Sequence, residues 1–297
     1  MLASSLRQTA KEVLARRLLS DGGVADQVKG KFRVDATAWA ILVLTALRDS
    51  PSLIDRCRAR LQAEQGRDGR LAVSRENPDS FWPTALGILA WQGAPAFAEA
   101  HRQAVTFLLE TTGVHYRSQP TEVAAHDAAL KGWPWVANTH SWIEPTVLGV
   151  LALSAAGYGQ HDRAQEALRM ILDRQLPHGG WNYGNTFVFG RELRPMSEST
   201  GTALTGLAGH VERKVVARSL DYLQGQINAM QTPISLGWGL LGMAAWGVWP
   251  SNGLTLVERC LANQSRYGEY DTSSICLVLL GALAGDPEIR TLSPVVQ

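Results

Sequence analysis

The sequence predicts an all-α protein built from repeated helix pairs, and three observations carry that prediction. Six runs of small and apolar residues recur, each entered through Thr, Ser or Gly and most ending near Gly. Between them lie charged segments whose apolar residues return three and four apart, the period of a helix with one buried stripe. Several of those segments end in a turn of one form: Gln, later Gly, then an aromatic or apolar residue. Internal repetition of this kind dictates the whole architecture.

Taken in order, the N-terminus MLASSLRQTAKEVLARRLL reads as a basic amphipathic helix within residues 1–30. It has no continuous apolar core or cleavage-like site, so it is not expected to be a signal peptide. We expect it to pack on the domain as a first outer helix; peripheral membrane contact is the competing reading. The single repeat domain spans 31–297. Its inner runs are VDATAWAILVLTAL from Val34, FWPTALGILAWQG from Phe81, IEPTVLGVLALSAAG from Ile143, STGTALTGLAG from Ser199, SLGWGLLGMAAWG from Ser235 and DTSSICLVLLGALAG from Asp271. We align them on Thr37, Thr84, Thr146, Thr202, Gly237 and Ser274. They are apolar nearly all round, as enclosed helices are. The amphipathic partners begin near Ser52, Phe97, Arg163, Glu212 and Thr255; in the third, Ala164, Ala167, Leu168, Ile171 and Leu172 make one stripe.

Composition narrows the function classes. A chain of 297 residues with 45% hydrophobic and 19% charged residues is ordinary for a globular protein. A net charge of +1 gives no electrostatic case for nucleic acid. The apolar runs are too short to span a bilayer. Cys57, Cys260 and Cys276 are far apart and suit reduced thiols in a cytoplasmic protein. Glycine-rich nucleotide loops, a Gly-x-Ser-x-Gly elbow and an Asp-Asp-x-x-Asp run are absent.

The turn Gln175…Gly179-x-Trp181, with a second copy at Gln264…Gly268-x-Tyr270, resembles the Gln–Trp repeat of squalene-hopene and oxidosqualene cyclases. That repeat family also includes the β subunits of protein prenyltransferases. The resemblance implies an α/α toroid of six inner and six outer helices around a central apolar cavity, with catalytic acids at the N-terminal mouths of the inner helices. The cyclases' Asp-x-Asp-Asp-Thr-Ala motif is reduced here to Arg33-Val34-Asp35-Ala36-Thr37-Ala38. Two before the anchor, our alignment places Asp35, Trp82, Glu144, Thr200, Ser235 and Thr272, so Asp35 and Glu144 are the candidate acids. His140, four residues before Glu144, is its expected titratable partner.

Each candidate has a structural reading beside the functional one. Asp35 suits an N-cap. Glu144 before Pro145 suits a helix start, where the backbone dipole should lower its pKa. Glu198 reads as another cap, and the His126-Asp127 pair as a loop. Trp39, Trp82, Trp142, Tyr183 and Trp238 are candidates to line a substrate cavity, since aromatic faces stabilise cations; Trp181 is expected to be architectural. Asp271 caps the last helix and sits where the prenyltransferases, by resemblance, carry a zinc ligand. Cys and His are too scattered for a metal set, so neither metal nor cofactor is expected. The resemblance points to a terpene-cyclase-like protein taking an isoprenoid or other hydrophobic small molecule by proton-initiated cyclisation or isomerisation. Two alternatives stand beside it: a toroidal carbohydrate hydrolase or lyase using Asp35 and Glu144 as paired carboxylates, and a non-catalytic lipid- or partner-binding scaffold.

Overall fold

The computed structural model describes residues 4–116, 126–289, 291 and 292. Its helices are α1 (Ser4–Ala15), α2 (Val34–Ala46), α3 (Pro51–Gln62), α4 (Pro83–Trp91), α5 (Ala98–Glu110), α6 (Ile143–Ala155) and α7 (Asp162–Asp173). After these come α8 (Ser197–Leu207), α9 (Arg213–Gln226), α10 (Pro233–Ala245), α11 (Gly253–Ala262), the single turn α12 (Gln264–Tyr267) and α13 (Thr272–Leu283). Strands β1 (Phe187–Val188) and β2 (Arg191–Glu192) form a short antiparallel hairpin between α7 and α8.

A helix that is apolar all round must be enclosed. The six recurring runs are α2, α4, α6, α8, α10 and α13, and each is buried along nearly its whole length. Each packs on the next in that order, and α13 packs back on α2, so the inner helices close into a ring. Where α8 meets α10 the backbones nearly touch: a Cβ at Gly242 would lie 2.6 Å from the Gly201 carbonyl oxygen. Helices α3, α5, α7, α9 and α11 lie outside, each against two successive inner helices. In α7 four of the five stripe residues, Ala164, Ala167, Leu168 and Ile171, are buried together with Met170, and Leu172 is half-buried. Helix α1 takes the sixth outer place. Its Leu6, Ala10 and Leu14 join the core. Lys11 pairs with Asp49 after α2 at 3.3 Å, and Arg17 bonds Glu269, just ahead of α13, at 2.7 Å. The fold is therefore an α/α toroid of six inner and six outer helices. No helix among the described residues is long and apolar enough to cross a membrane.

The Gln–Gly–aromatic turns join neighbouring repeats. Gly179 adopts φ +96°, a left-handed conformation that suits glycine. Gln175 reaches past its own turn: its Nε2 donates to Ser219 Oγ (2.9 Å) and Val215 O (3.2 Å) on α9, the next outer helix. Gln65 does both, donating to Gly69 O (3.0 Å) in its own turn and to Ala100 O (2.8 Å) on α5. Gln264 bonds within its own turn, where it accepts from Tyr270 N (3.0 Å). The aromatic residue ties back to the outer helix it follows. Trp181 Nε1 donates to Ile171 O (2.7 Å), and Trp133, which the sequence did not single out, donates to Leu108 O (3.0 Å).

A second repeated contact fixes where each inner helix begins. The buried hydroxyl of Thr37, Thr84, Thr146 or Thr200 accepts the backbone N–H of Val24, Leu71, Trp133 or Trp181, at 2.9 to 3.0 Å. The loop separation is 13 residues in the first three copies and 19 in the fourth, which also contains the hairpin. This corrects the sequence alignment. The fourth anchor is Thr200, whereas Thr202 donates within its own helix to Glu198 O (2.7 Å). The backbone bonds Leu236 N to Thr232 O and Ile275 N to Asp271 O match Thr146 N to Trp142 O, so Leu236 and Ile275 replace Gly237 and Ser274 as anchors. Two before the anchor then stand Asp35, Trp82, Glu144, Glu198, Ile234 and Ser273.

Trp181 is fully buried, and its ring and backbone serve both repeated contacts. Trp181→Ala should lower unfolding stability by about 3–5 kcal/mol, measured by denaturant titration. Unchanged stability would mean that the turn does not hold the repeats together.

Candidate functional site

The corrected register brings two carboxylates together at the N-terminal end of the ring. Glu144 is the second residue of α6 and Glu198 the second of α8, and α6 and α8 are ring neighbours. Both side chains bond the same face of α10. Trp238 Nε1 donates to Glu144 Oε1 at 3.3 Å, and Ser235 Oγ donates to Glu198 Oε2 at 2.9 Å. Ser235 and Trp238 are three apart, the spacing of helix neighbours. Tyr183, from the loop before β1, donates its hydroxyl to Glu198 Oε1 at 2.8 Å. Its phenol is thereby shifted upward, first by that bond, then by burial and the charges of Glu198 and Glu144.

The two acids differ in environment. Glu198 receives two short hydroxyl bonds. Glu144 is half-buried and receives one long bond, so burial pushes its pKa up to about 7. The bond from Trp238 opposes this shift, and the charge of Glu198 reinforces it. The expectation that the helix start would lower the Glu144 pKa is therefore corrected: desolvation outweighs the dipole.

Trp238 also explains what lies below the acids. Along the ring, α2, α6 and α10 are alternate inner helices, so contacts among them cross the central axis. Trp238 of α10 touches Glu144 of α6, and its ring meets that of Trp39 of α2 edge-on, centroids 6.1 Å apart. Trp238 is fully buried and Trp39 nearly so. At this level two indoles occupy the axis, where the resemblance implied a cavity, and the carboxylates lie at the first turns of α6 and α8.

The remaining candidates fall elsewhere. Asp35 is not the N-cap of α2, a place held by Arg33. Its carboxylate is gripped by the Arg33 guanidinium at 2.9 and 3.1 Å and accepts from Ser273 at 3.2 Å, which links α2 to α13. His140 is exposed and stacks edge-on against Tyr116, centroids 5.9 Å apart. The expected pairing of His140 with Glu144 is not formed, because the Glu144 carboxylate turns inward to Trp238. Trp82 is half-buried and meets Trp135 edge-on at 5.2 Å. Trp142 is the N-cap of α6 and half-buried. Asp271 caps α13, accepting from Ser274 N (2.9 Å) and Ser274 Oγ (2.7 Å). Among the described residues no three His, Cys, Asp or Glu side chains converge as a metal site. Sequence reasoning missed Glu198 as a mouth acid. The signal was an acid two before a Thr in three repeats, Asp35/Thr37, Glu144/Thr146 and Glu198/Thr200, which the anchor at Thr202 concealed.

No family model matches the sequence, and no curated protein matches it significantly. Solved structures do. The α-1,6-mannanase GH76A of Salegentibacter sp. HEL1_6, in complex with α-1,6-mannotriose, is 11% identical, with 94% of this chain and 98% of that one covered at a TM-score of 0.64. The type II terpene cyclase MstE from Scytonema is 16% identical over 95% of this chain and 82% of its own, TM-score 0.54. The endo-β-1,4-glucanase CMCax from Acetobacter xylinum is 11% identical over 94% and 97%, TM-score 0.54. At these identities the likeness is one of fold: the α/α toroid is common to glycoside hydrolases and a terpene cyclase, and the fold alone does not choose between them.

The raised Glu144 pKa has a consequence for stability. The unfolded chain releases this proton near 4.5 and the folded one near about 7. Between those values the folded state binds more protons, so this group's contribution to stability falls as pH rises. Glu144→Gln removes the penalty. The variant should be about 2–3 kcal/mol more stable than the parent at pH 8 and nearly equal to it at pH 4.5, read from unfolding curves at both values. Equal stability at pH 8 would contradict the buried-acid assignment.

Proposed function

We propose that the protein is an acid–base hydrolase of glycans, with Glu144 as the proton donor and Glu198 as the carboxylate that activates water. The observation that carries this reading is the Glu144–Glu198 pair itself: two neighbouring carboxylates held by one face of α10, one desolvated and one doubly hydrogen-bonded. Unequal environments divide two like groups into an acid and a base. In the proposed step Glu144 gives its proton to the glycosidic oxygen as the C–O bond breaks. Water forms the new bond to the anomeric carbon, and its proton passes to Glu198.

Two further observations favour a sugar over an isoprenoid. Protonating an alkene demands a strong acid, whereas an acid near about 7 is matched to an oxygen leaving group at neutral pH. Trp238 and Trp39 also occupy the axis beneath the acids, so a substrate meets them from the mouth, beside the half-exposed Tyr183. The mannanase and glucanase neighbours support the same class.

Reducing-sugar release from α-1,6-mannan and soluble β-1,4-glucan is the first assay. Glu144→Gln and Glu198→Gln should each lower turnover about 10²–10⁴-fold with folding intact. Because the donor acts in its protonated form, activity should decline as pH rises through about 7. Full activity in both variants, or conversion of linear isoprenoids with no action on any glycan, would overturn the reading.

A further inference from the structure

Buried polar atoms that lack a partner are costly and call for an explanation, often an ion or ligand. Among the described residues four buried side-chain nitrogens or oxygens have none: Arg17 Nε, His126 Nδ1, Arg174 Nε and Thr186 Oγ1. Two of the four lie at one place, and a third is next to it in the chain. His126 and Arg174 line a cleft of about 290 Å³, and Thr186 sits between Asn185 and Phe187, which line it too. Tyr116, His140 and Ser141 complete its polar wall, and no acid among the described residues lines it.

The charges around the cleft are asymmetric. Arg174 is only 5% exposed. Burial lowers its pKa to about 10, so the guanidinium stays charged at neutral pH. Its Nη1 meets Asp173 Oδ2 at 2.7 Å and its Nη2 donates to Asp127 O at 3.1 Å, which leaves Nε–H without an acceptor. The two nearby acids are already engaged by main chain: Asp173 accepts from Asp127 N (3.0 Å) and Asp127 from Ala129 N (2.8 Å). The cleft wall therefore offers the unpaired Nε–H of a buried guanidinium, whose charge Asp173 meets from outside the wall, and several further donors, including the Asn185 amide and the exposed His140 ring. An acceptor-only anion satisfies such a wall better than a neutral hydroxyl, because charge-assisted bonds are the stronger ones.

The cleft is joined to the acid pair through the chain. Gly184, in its wall, follows Tyr183, whose hydroxyl bonds Glu198, and the Tyr183 carbonyl accepts from Ile143 N at 2.9 Å, beside Glu144. We propose that this cleft is an anion subsite, holding the carboxylate or phosphate of an acidic sugar unit next to the bond that Glu144 and Glu198 would cleave. The proposal rests on the glycan reading for its sugar, and on the cleft alone for its anion. His126 gives it a spectroscopic handle: burial, then the charge of Arg174, pushes its pKa down to about 4, and an anion seated between them would raise it.

The test is a titration of the full chain with D-glucuronate, glucose 6-phosphate, inorganic phosphate and glucose, followed by the ring-proton signals of His126 and His140. At least one charged sugar should bind about tenfold or more tightly than glucose, shift both signals and raise the His126 titration midpoint. The glucuronate and sugar-phosphate arms separate carboxylate from phosphate. Exposed His140→Ala should weaken the charged sugar several-fold and leave glucose unchanged, and Asn185→Ala should act in the same direction. Arg174→Gln should abolish the preference, with circular dichroism confirming that it folds; if it does not, the other two variants decide. Equal affinity for glucose and the charged sugars, or binding that leaves both histidine signals unmoved, would overturn the subsite. Inorganic phosphate binding as tightly as glucose 6-phosphate would overturn its sugar component. Anion binding at the cleft without turnover of any glycan would retain the subsite and reject the hydrolase reading, so the two failures are distinct.

Discussion

The structure depends on one small contact made four times: a buried threonine hydroxyl that accepts a backbone N–H from the loop leading into its helix. A buried N–H left unpaired costs about 1–3 kcal/mol, so the contact allows each of these four inner helices only one depth in the ring. Because the anchor is always the same helical position, the residue two before it is always at the mouth. This level carries Asp35, Glu144 and Glu198 in three repeats. The contact that makes the ring regular therefore also aligns the carboxylates, and a shift of one helix along its axis would separate them.

Function comes from how the repeats depart from one another at that common level. In the first repeat Arg33 neutralises Asp35 and Ser273 ties it to the last helix, which makes it a fastening of the ring seam. In the third and fourth repeats no arginine among the described residues answers the acid; α10 supplies an indole and a hydroxyl instead. An indole bond is too weak to offset desolvation, so the Glu144 pKa stays raised to about 7. The same Trp238 crosses the axis to Trp39, so one side chain both fills the ring below the acids and sets the proton affinity of one of them. A group held in this state at neutral pH lowers stability, which is the usual relation between a tuned site and its fold.

Much of the architecture was legible in the sequence because it is local. The all-round apolarity of VLGVLALSAAG, the stripe of Ala164 to Ile171 and the turn at Gly179 are each written in consecutive residues, and each is found where the pattern puts it. The site was only half legible because its contacts join distant repeats. Glu144 was visible as a mouth acid, but its partner Trp238 lies two inner helices further round the ring. Glu198 was hidden because the hairpin lengthens the fourth loop from 13 to 19 residues, and the eye aligns on Thr202 when the backbone aligns on Thr200. The helix-dipole argument for Glu144 had the right position and the wrong sign, since burial against Trp238 belongs to the tertiary structure and not to the first turn of α6.

The central claim is that the register places Glu144, desolvated, beside the charge of Glu198. The most direct measurement is a carbon-13 titration of the side-chain carboxyls, with the Glu144 signal assigned by its loss in Glu144→Gln. The account predicts a midpoint near about 7 that moves down in Glu198→Gln, where the neighbouring charge is gone. A midpoint in the ordinary glutamate range, roughly 4.3, and indifferent to the Glu198 substitution, would contradict it.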